Sequence, residues 1–355
     1  MPSLDRDGAV AETSATPDHG VMLFSIGVLR RNAPSADQGL RGAWSLRALE
    51  PVMASLHRKP TLVMGARGSV GKFVMKRLLA EGVPVRASAR RPAPGQFPDG
   101  VEVFAADLTD PASLLPAFGG ARQVFLYANH QGVHGVIETA RAAALERIVL
   151  MSSGSVIHPS SAGNAIAEKH RAVEAAFAVA SDVLMVPVRP LVLATNALGW
   201  AYQIRANGGV ALYQPDALTA PIHEWDVAAV VCAALSGDTA RAVSGLLTGP
   251  ARISQRDQVA AIGRAVGREI PVRELSRDAA MRQFSQFMPA GEVEAVLQFL
   301  DDAAAGNSPA VPTVEESWAA RRSHSMNGHS TTHATSGEMT RGRHMTCRSR
   351  MGCCR

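Results

Sequence analysis

The 355-residue chain is poor in cysteine and in aromatic side chains. Of its four cysteines, Cys347, Cys353 and Cys354 lie near the C-terminus and only Cys232 falls in the patterned middle. That distribution implies no disulfide framework, and a body so nearly free of cysteine fits a reducing cytoplasm. Long hydrophobic runs are scarce as well. The apolar stretch from Val21 to Leu29 is about half of what a membrane span needs, and the acidic residues Asp5, Asp7 and Asp18 precede it where a secretory leader carries basic ones. The expectation is a cytoplasmic protein with neither signal peptide nor membrane anchor.

Charge of one sign is also missing from the body. The net charge is +5, but seven arginines (Arg321, Arg322, Arg341, Arg343, Arg348, Arg350 and Arg355) stand against Glu338 alone in the last stretch of chain. The remainder holds 29 basic and 30 acidic residues. A near-neutral body without a recognisable reading helix argues against direct nucleic-acid binding. What the chain does have is 46% apolar residues, enough to bury a substantial core.

Strand-like and helix-like segments alternate through the middle. Thr61 to Met64, Val83 to Ala89, Val101 to Ala105, Val124 to Tyr127, Ile148 to Met151 and Val183 to Val188 read as strands. Ser69 to Glu81, Pro111 to Phe118, Val133 to Leu145 and Ala165 to Ala180 read as helices. Strands so rich in Val, Leu and Ile, alternating with amphipathic helices, predict an α/β fold: a Rossmann-like, doubly wound parallel sheet. A small α+β C-terminal subdomain on the substrate side would cap the carboxyl edge, where such folds bind ligands. The expected plan is a poorly ordered leader over 1–57, a dinucleotide-binding core over 58–190, a substrate-side subdomain that also completes the fold over 191–316, and a disordered tail over 317–355.

The chemistry is carried by Gly65-Ala66-Arg67-Gly68-Ser69-Val70-Gly71, which follows the first strand and opens the first helix. In a dinucleotide fingerprint Gly65 permits the tight turn, Gly68 lets the backbone approach the pyrophosphate, and Gly71 lets helix and strand pack closely. The helix N-terminus supplies amide donors and a favourable dipole. A Walker loop is excluded, because five residues separate Gly65 from Gly71-Lys72 and Phe73 replaces the magnesium-binding hydroxyl. After the second strand, Arg90 and Arg91 stand where an NAD enzyme places an acid, which favours NADP(H) over NAD(H), with Arg67 as a further phosphate contact. Asp107, followed by Leu108, is either an adenine contact or the cap of the helix starting near Pro111.

With these residues in view, the chain resembles the NmrA-like NAD(P)-binding proteins of the atypical short-chain dehydrogenase/reductase superfamily. The likeness runs from about Pro60 to Glu316. It rests on the glycine spacing, Asp107-Leu108, Ser152-Ser153-Gly154, His170-Arg171-Ala172-Val173-Glu174, Val188-Arg189-Pro190 with Asn196, Ala220-Pro221-Ile222 with Asp226, Leu247-Thr248-Gly249-Pro250, Ser254-Gln255 and Met288-Pro289-Ala290. The resemblance implies an NADPH-dependent oxidoreductase of a small carbonyl, quinone or conjugated substrate, or alternatively a non-catalytic NAD(P)-sensing regulator that binds a protein partner.

Catalytic members of the superfamily carry a Tyr-x-x-x-Lys pair on the helix after the fifth strand. Here Lys169 is present but the position four before it is Ala165. Ser152 remains as a cofactor contact, and Ser153, His130 and Lys169 remain as weak catalytic candidates, with Ser155 beside Ser153 and with Tyr127, Asn129 and His134 beside His130 at the expected cleft edge. His130, His134 and Glu138 are four apart, but Gly132 and Gly135 interrupt the stretch and no metal site is expected. His170, Glu174 and Arg189 read as structural.

Overall fold

The computed structural model describes residues 59–237 and 244–312. The leader at 1–57, the tail at 317–355 and the family-like segment at 313–316 lie outside the described residues.

The first strand, β1 (Thr61–Val63), lies inside a seven-stranded parallel sheet, third from one edge. Its neighbours are β2 (Val85–Ala89) and β3 (Glu102–Ala105) on one side, and β4 (Gln123–Tyr127), β5 (Arg147–Met151), β6 (Met185–Pro190) and β9 (Leu246–Leu247) on the other. The order is β3-β2-β1-β4-β5-β6-β9, the doubly wound arrangement expected from the alternating pattern. Side chains alternate between the two faces. Val63, Phe125, Val149 and Val188 face one helical layer, while Leu62, Val124, Leu126, Ile148 and Leu150 face the other.

The first layer comprises α1 (Gly71–Ala80) and α6 (Glu224–Ser236). Helix α1 buries Val74 and Leu78 and turns Lys72 and Lys76 to solvent, as its 3.6-residue period demands. Helix α6 buries Val227 through Leu235 without a break, so it is apolar all round and belongs to the core. The second layer comprises α2 (Pro111–Phe118), α3 (Val133–Ala142) and α4 (Ala165–Val179). Asp110 caps α2 by accepting from the Ala112 amide, with Pro111 at the first helical position.

Beyond β6 the chain makes two excursions above the carboxyl edge. The first carries α5 (Ala201–Asn207), β7 (Val210–Leu212) and β8 (Leu218–Thr219) and returns through α6 to β9. The second carries β10 (Ile253–Ser254), α7 (Gln255–Val266), β11 (Val272–Glu274), α8 (Arg277–Phe284) and α9 (Ala290–Ala304). They join as a parallel β7/β11 pair and an antiparallel β8/β10 pair. Two small apolar clusters hold them together, one around Tyr213, Val293 and Leu297, the other around Leu212, Val259 and Ile270. Among the described residues no helix is long and apolar enough to cross a membrane.

Candidate functional site

Two features share the carboxyl edge of the sheet: a glycine turn at the end of β1, and a large cleft that begins at the ends of β5 and β6. Between β1 and β5 stands β4, whose last residue is Tyr127.

The glycine turn has the backbone its sequence calls for. Gly65 adopts φ +59°, a conformation that disfavours a side chain. A Cβ on Gly71 would lie 2.5 Å from the Gly65 carbonyl oxygen, so turn and helix touch through glycine alone. The Ala66 amide donates to Ser88 O in β2, fixing the turn to the sheet. Helix α1 starts at Gly71, two residues later than the periodicity suggests, which leaves Ser69 and Val70 in the turn. Among the described residues the Ser69 amide has no acceptor. A tight turn with a spare donor at the N-terminus of a ten-residue helix suits a dinucleotide's pyrophosphate.

Over this turn lies Tyr127, which the sequence placed only in the neighbourhood of the cleft. Its Oη accepts the Gly71 N–H at 3.0 Å, and its ring meets Phe125 edge-on. A Cβ on Gly68 would lie 2.9 Å from that oxygen, so the glycine makes room for the phenol. Burial raises the Tyr127 pKa above its ordinary 10, with the amides of Gly71 and Val70 opposing in part.

The basic residues gather at the outer rim. Arg90 and Arg91 are exposed at the end of β2, and Arg67 donates to Gln96 Oε1 in the loop that follows. Asp107 is not the helix cap, because Asp110 fills that role. Instead Asp107 Oδ1 accepts from the Thr109 amide at 2.9 Å and from Thr109 Oγ1 at 2.8 Å. Those two bonds depress its pKa, with a smaller contribution from Arg90, and the carboxylate stays charged.

Several other sequence candidates have protein partners. Ser152 is buried and donates to Glu174 Oε1 at 2.6 Å, while Arg189 holds Glu174 through both carboxylate oxygens at 3.0 and 2.5 Å. Lys169 pairs with Glu292 of α9 at 2.5 Å, so its ammonium ties two helices together. His130 is exposed on the loop after β4, and its charge acts on His170 of α4. Ser153 and Ser155 keep their hydroxyls together at 2.8 Å and line the cleft. Among the described residues, His130, His134 and Glu138 included, no group of three or more His, Cys, Asp or Glu is placed to hold a metal ion.

The cleft has a volume of about 1690 Å³. Its wall is largely apolar, with Trp200, Phe284 and Phe299 among the lining residues, and the exposed Leu198, Tyr202 and Phe287 stand at its edge. Arg205, Arg273 and Arg282 also line it, against Asp302 as the sole lining acid. None of the three guanidinium groups has an ion-pair or hydrogen-bond partner among the described residues. Sequence reasoning missed these arginines, because they come from α5, β11 and α8 and share no local pattern.

Comparison with known proteins agrees with this geometry. The sequence model of the NAD(P)H-binding family matches residues 65–238. A (4-alkanoyl-5-oxo-2,5-dihydrofuran-3-yl)methyl phosphate reductase of Streptomyces griseus is 36% identical over 260 residues, covering 72% of this chain and 91% of the relative. An NAD(P)H azoreductase of Xenophilus azovorans is 28% identical over 221 residues, covering 60% and 75%. Among solved structures, the NADPH complex of an Escherichia coli quinone oxidoreductase superposes with a TM-score of 0.58 at 21% identity, over 72% of this chain and 93% of that one. The NADP(H) complex of a Citrobacter triphenylmethane reductase gives 0.59 at 17% identity, over 72% and 94%. At those identities the likeness is one of fold.

Proposed function

Because the chain belongs to the NAD(P)H-binding family, we propose that it is an NADPH-dependent reductase of a conjugated carbonyl substrate that carries an anionic group. The observation that carries this reading is the glycine turn with its spare amide, set at the same sheet edge as a largely apolar cleft. The turn over 65–71 holds the pyrophosphate, Arg90 with Arg67 and Arg91 meets the 2′-phosphate, and the charged Asp107, beside Leu108, accepts from the adenine amino group. Bound there, the nicotinamide supplies the hydride.

The protein's own part is to orient the substrate and receive its charge. Within the Ser153–Ser155 pair, on the loop leaving β5, one hydroxyl donates to the other, and the proton left free donates to the substrate oxygen on which negative charge develops. Lys169 has no such part, since Glu292 engages it. The apolar wall takes the substrate's body and excludes water. The Streptomyces relative is named for a phosphate ester, and the three unpartnered arginines of this cleft offer the matching charge. A cytoplasmic setting supplies the reduced cofactor and keeps the buried Cys232 as a thiol.

Calorimetric titration of the full chain tests the reading. NADPH is expected to bind at least about tenfold more tightly than NADH, and Arg90→Gln to remove most of that difference. NADPH oxidation is then followed with a conjugated ketone as its phosphate ester and as the free alcohol, and the ester should be the better substrate. Absence of NADPH binding overturns the reading. Preference for the oxidised cofactor without turnover favours the sensing regulator.

A further inference from the structure

Resting on the assignment of the glycine turn to NADPH, we propose that Tyr127 is a positioning residue for the cofactor, its phenol donating a hydrogen bond to the pyrophosphate. The hydroxyl is already half engaged. Its oxygen accepts the Gly71 N–H at 3.0 Å, and its own proton has no acceptor among the described residues. It lies against Gly68, where a Cβ would come within 2.9 Å of the oxygen, one residue along the chain from the spare Ser69 amide.

The arrangement changes one donor into another. At the N-terminus of α1 the Gly71 amide is a donor that an anion would otherwise claim; here it spends itself on Tyr127, and the phenol passes the polarisation on through its O–H. A hydroxyl that accepts from an amide is a stronger donor in turn, because successive hydrogen bonds polarise one another. The donor offered to the anion is thereby the phenol in place of the helix amide. Burial keeps the phenol protonated at neutral pH, as donation requires. The edge-on contact with Phe125 and the two glycines beneath hold the ring in place.

A ring that only packs against the turn would predict something different, and Tyr127→Phe separates the two. The variant keeps the ring and deletes the donor. NADPH affinity, read by calorimetry, should fall at least about tenfold. Affinity for adenosine 2′-phosphate, which lacks the pyrophosphate, should not change. An unchanged NADPH affinity with a lowered melting temperature would make Tyr127 a purely structural residue, and tighter binding would make it an obstruction; either result overturns the proposal. A wild type that binds adenosine 2′-phosphate but not NADPH overturns it as well, whereas a wild type that binds neither fails the NADPH assignment itself.

The chain has three tyrosines, Tyr127, Tyr202 and Tyr213, so fluorotyrosine labelling gives a second test that does not depend on the folding of the Tyr127 variant. Tyr202→Phe and Tyr213→Phe assign the fluorine resonances by elimination. NADPH should shift the Tyr127 signal and adenosine 2′-phosphate should leave it in place. A Tyr127 signal that responds equally to both ligands, or to neither, overturns the proposal.

Discussion

His170 carries an imidazole that the fold has partly withdrawn from water, with its Nδ1 buried and unpartnered. Burial is the main cause that lowers its pKa below the usual 6.5; Glu174 opposes the shift and His130 adds to it. The folded state therefore resists a proton that the unfolded chain accepts below about pH 6.5, and stability falls as the pH drops through that value towards the folded pKa. His170→Gln should flatten this dependence. The drop in urea midpoint between about pH 7.5 and pH 5.5 is expected to be smaller in the variant than in the parent. Equal drops would show that the acid sensitivity lies elsewhere.

At the scale of elements, Asn164 joins α4 to the far end of the chain. Its Oδ1 accepts from the Ile166 and Ala167 amides as the helix cap, and its Nδ2 donates to Ala295 O of α9 at 3.0 Å. Asn164→Ala removes both the cap and the side-chain bond to the Ala295 carbonyl, so a loss of about 2 kcal/mol is expected in denaturant unfolding. Asn164→Asp should restore the cap without the bond to the Ala295 carbonyl, and should recover only part of that loss.

Local signals are what the sequence displayed. The start of helix α2 near Pro111 was readable, although its cap is Asp110 and not the Asp107 that the sequence offered, and the glycine turn was readable because its spacing, strand and helix are contiguous. Strand β9 is two residues long and has no period to find. The partners that decide each candidate's role lie far off in sequence. Tyr127 meets Gly71 across 56 positions and Lys169 meets Glu292 across 123, and Ser152 reaches a carboxylate 22 positions away. Residue type showed that these groups were polar; only the folded chain shows which are already engaged.

For the whole molecule, the distribution of apolar contacts sets which parts open first. The sheet is covered on both faces by large clusters centred on residues such as Phe125 and Leu126, whereas the cleft walls rest on two much smaller ones. Local opening follows buried contact. Amide hydrogen exchange in β7, β11 and α8 should therefore exceed that in β1, β4 and β5 by about a hundredfold or more. Uniform protection across both regions would mean that they unfold as one unit. Occupation of the cleft should slow exchange in its walls and leave the sheet nearly unchanged.

The chain leaves the sheet after Pro190 and rejoins it at Leu246, in the strand hydrogen-bonded to the one it left. Departure and return are thus side by side, like two posts of a gate. What hangs between those posts, apart from α6 and the core residue Ile222, can change without reordering the seven-stranded sheet, provided β7 and β8 keep their pairing with β11 and β10. The exchangeable unit is therefore not the segment at 194–219 alone but that segment together with β10 and β11, and a chimaera that swaps one without the other should lose its edge pairing before it loses the sheet.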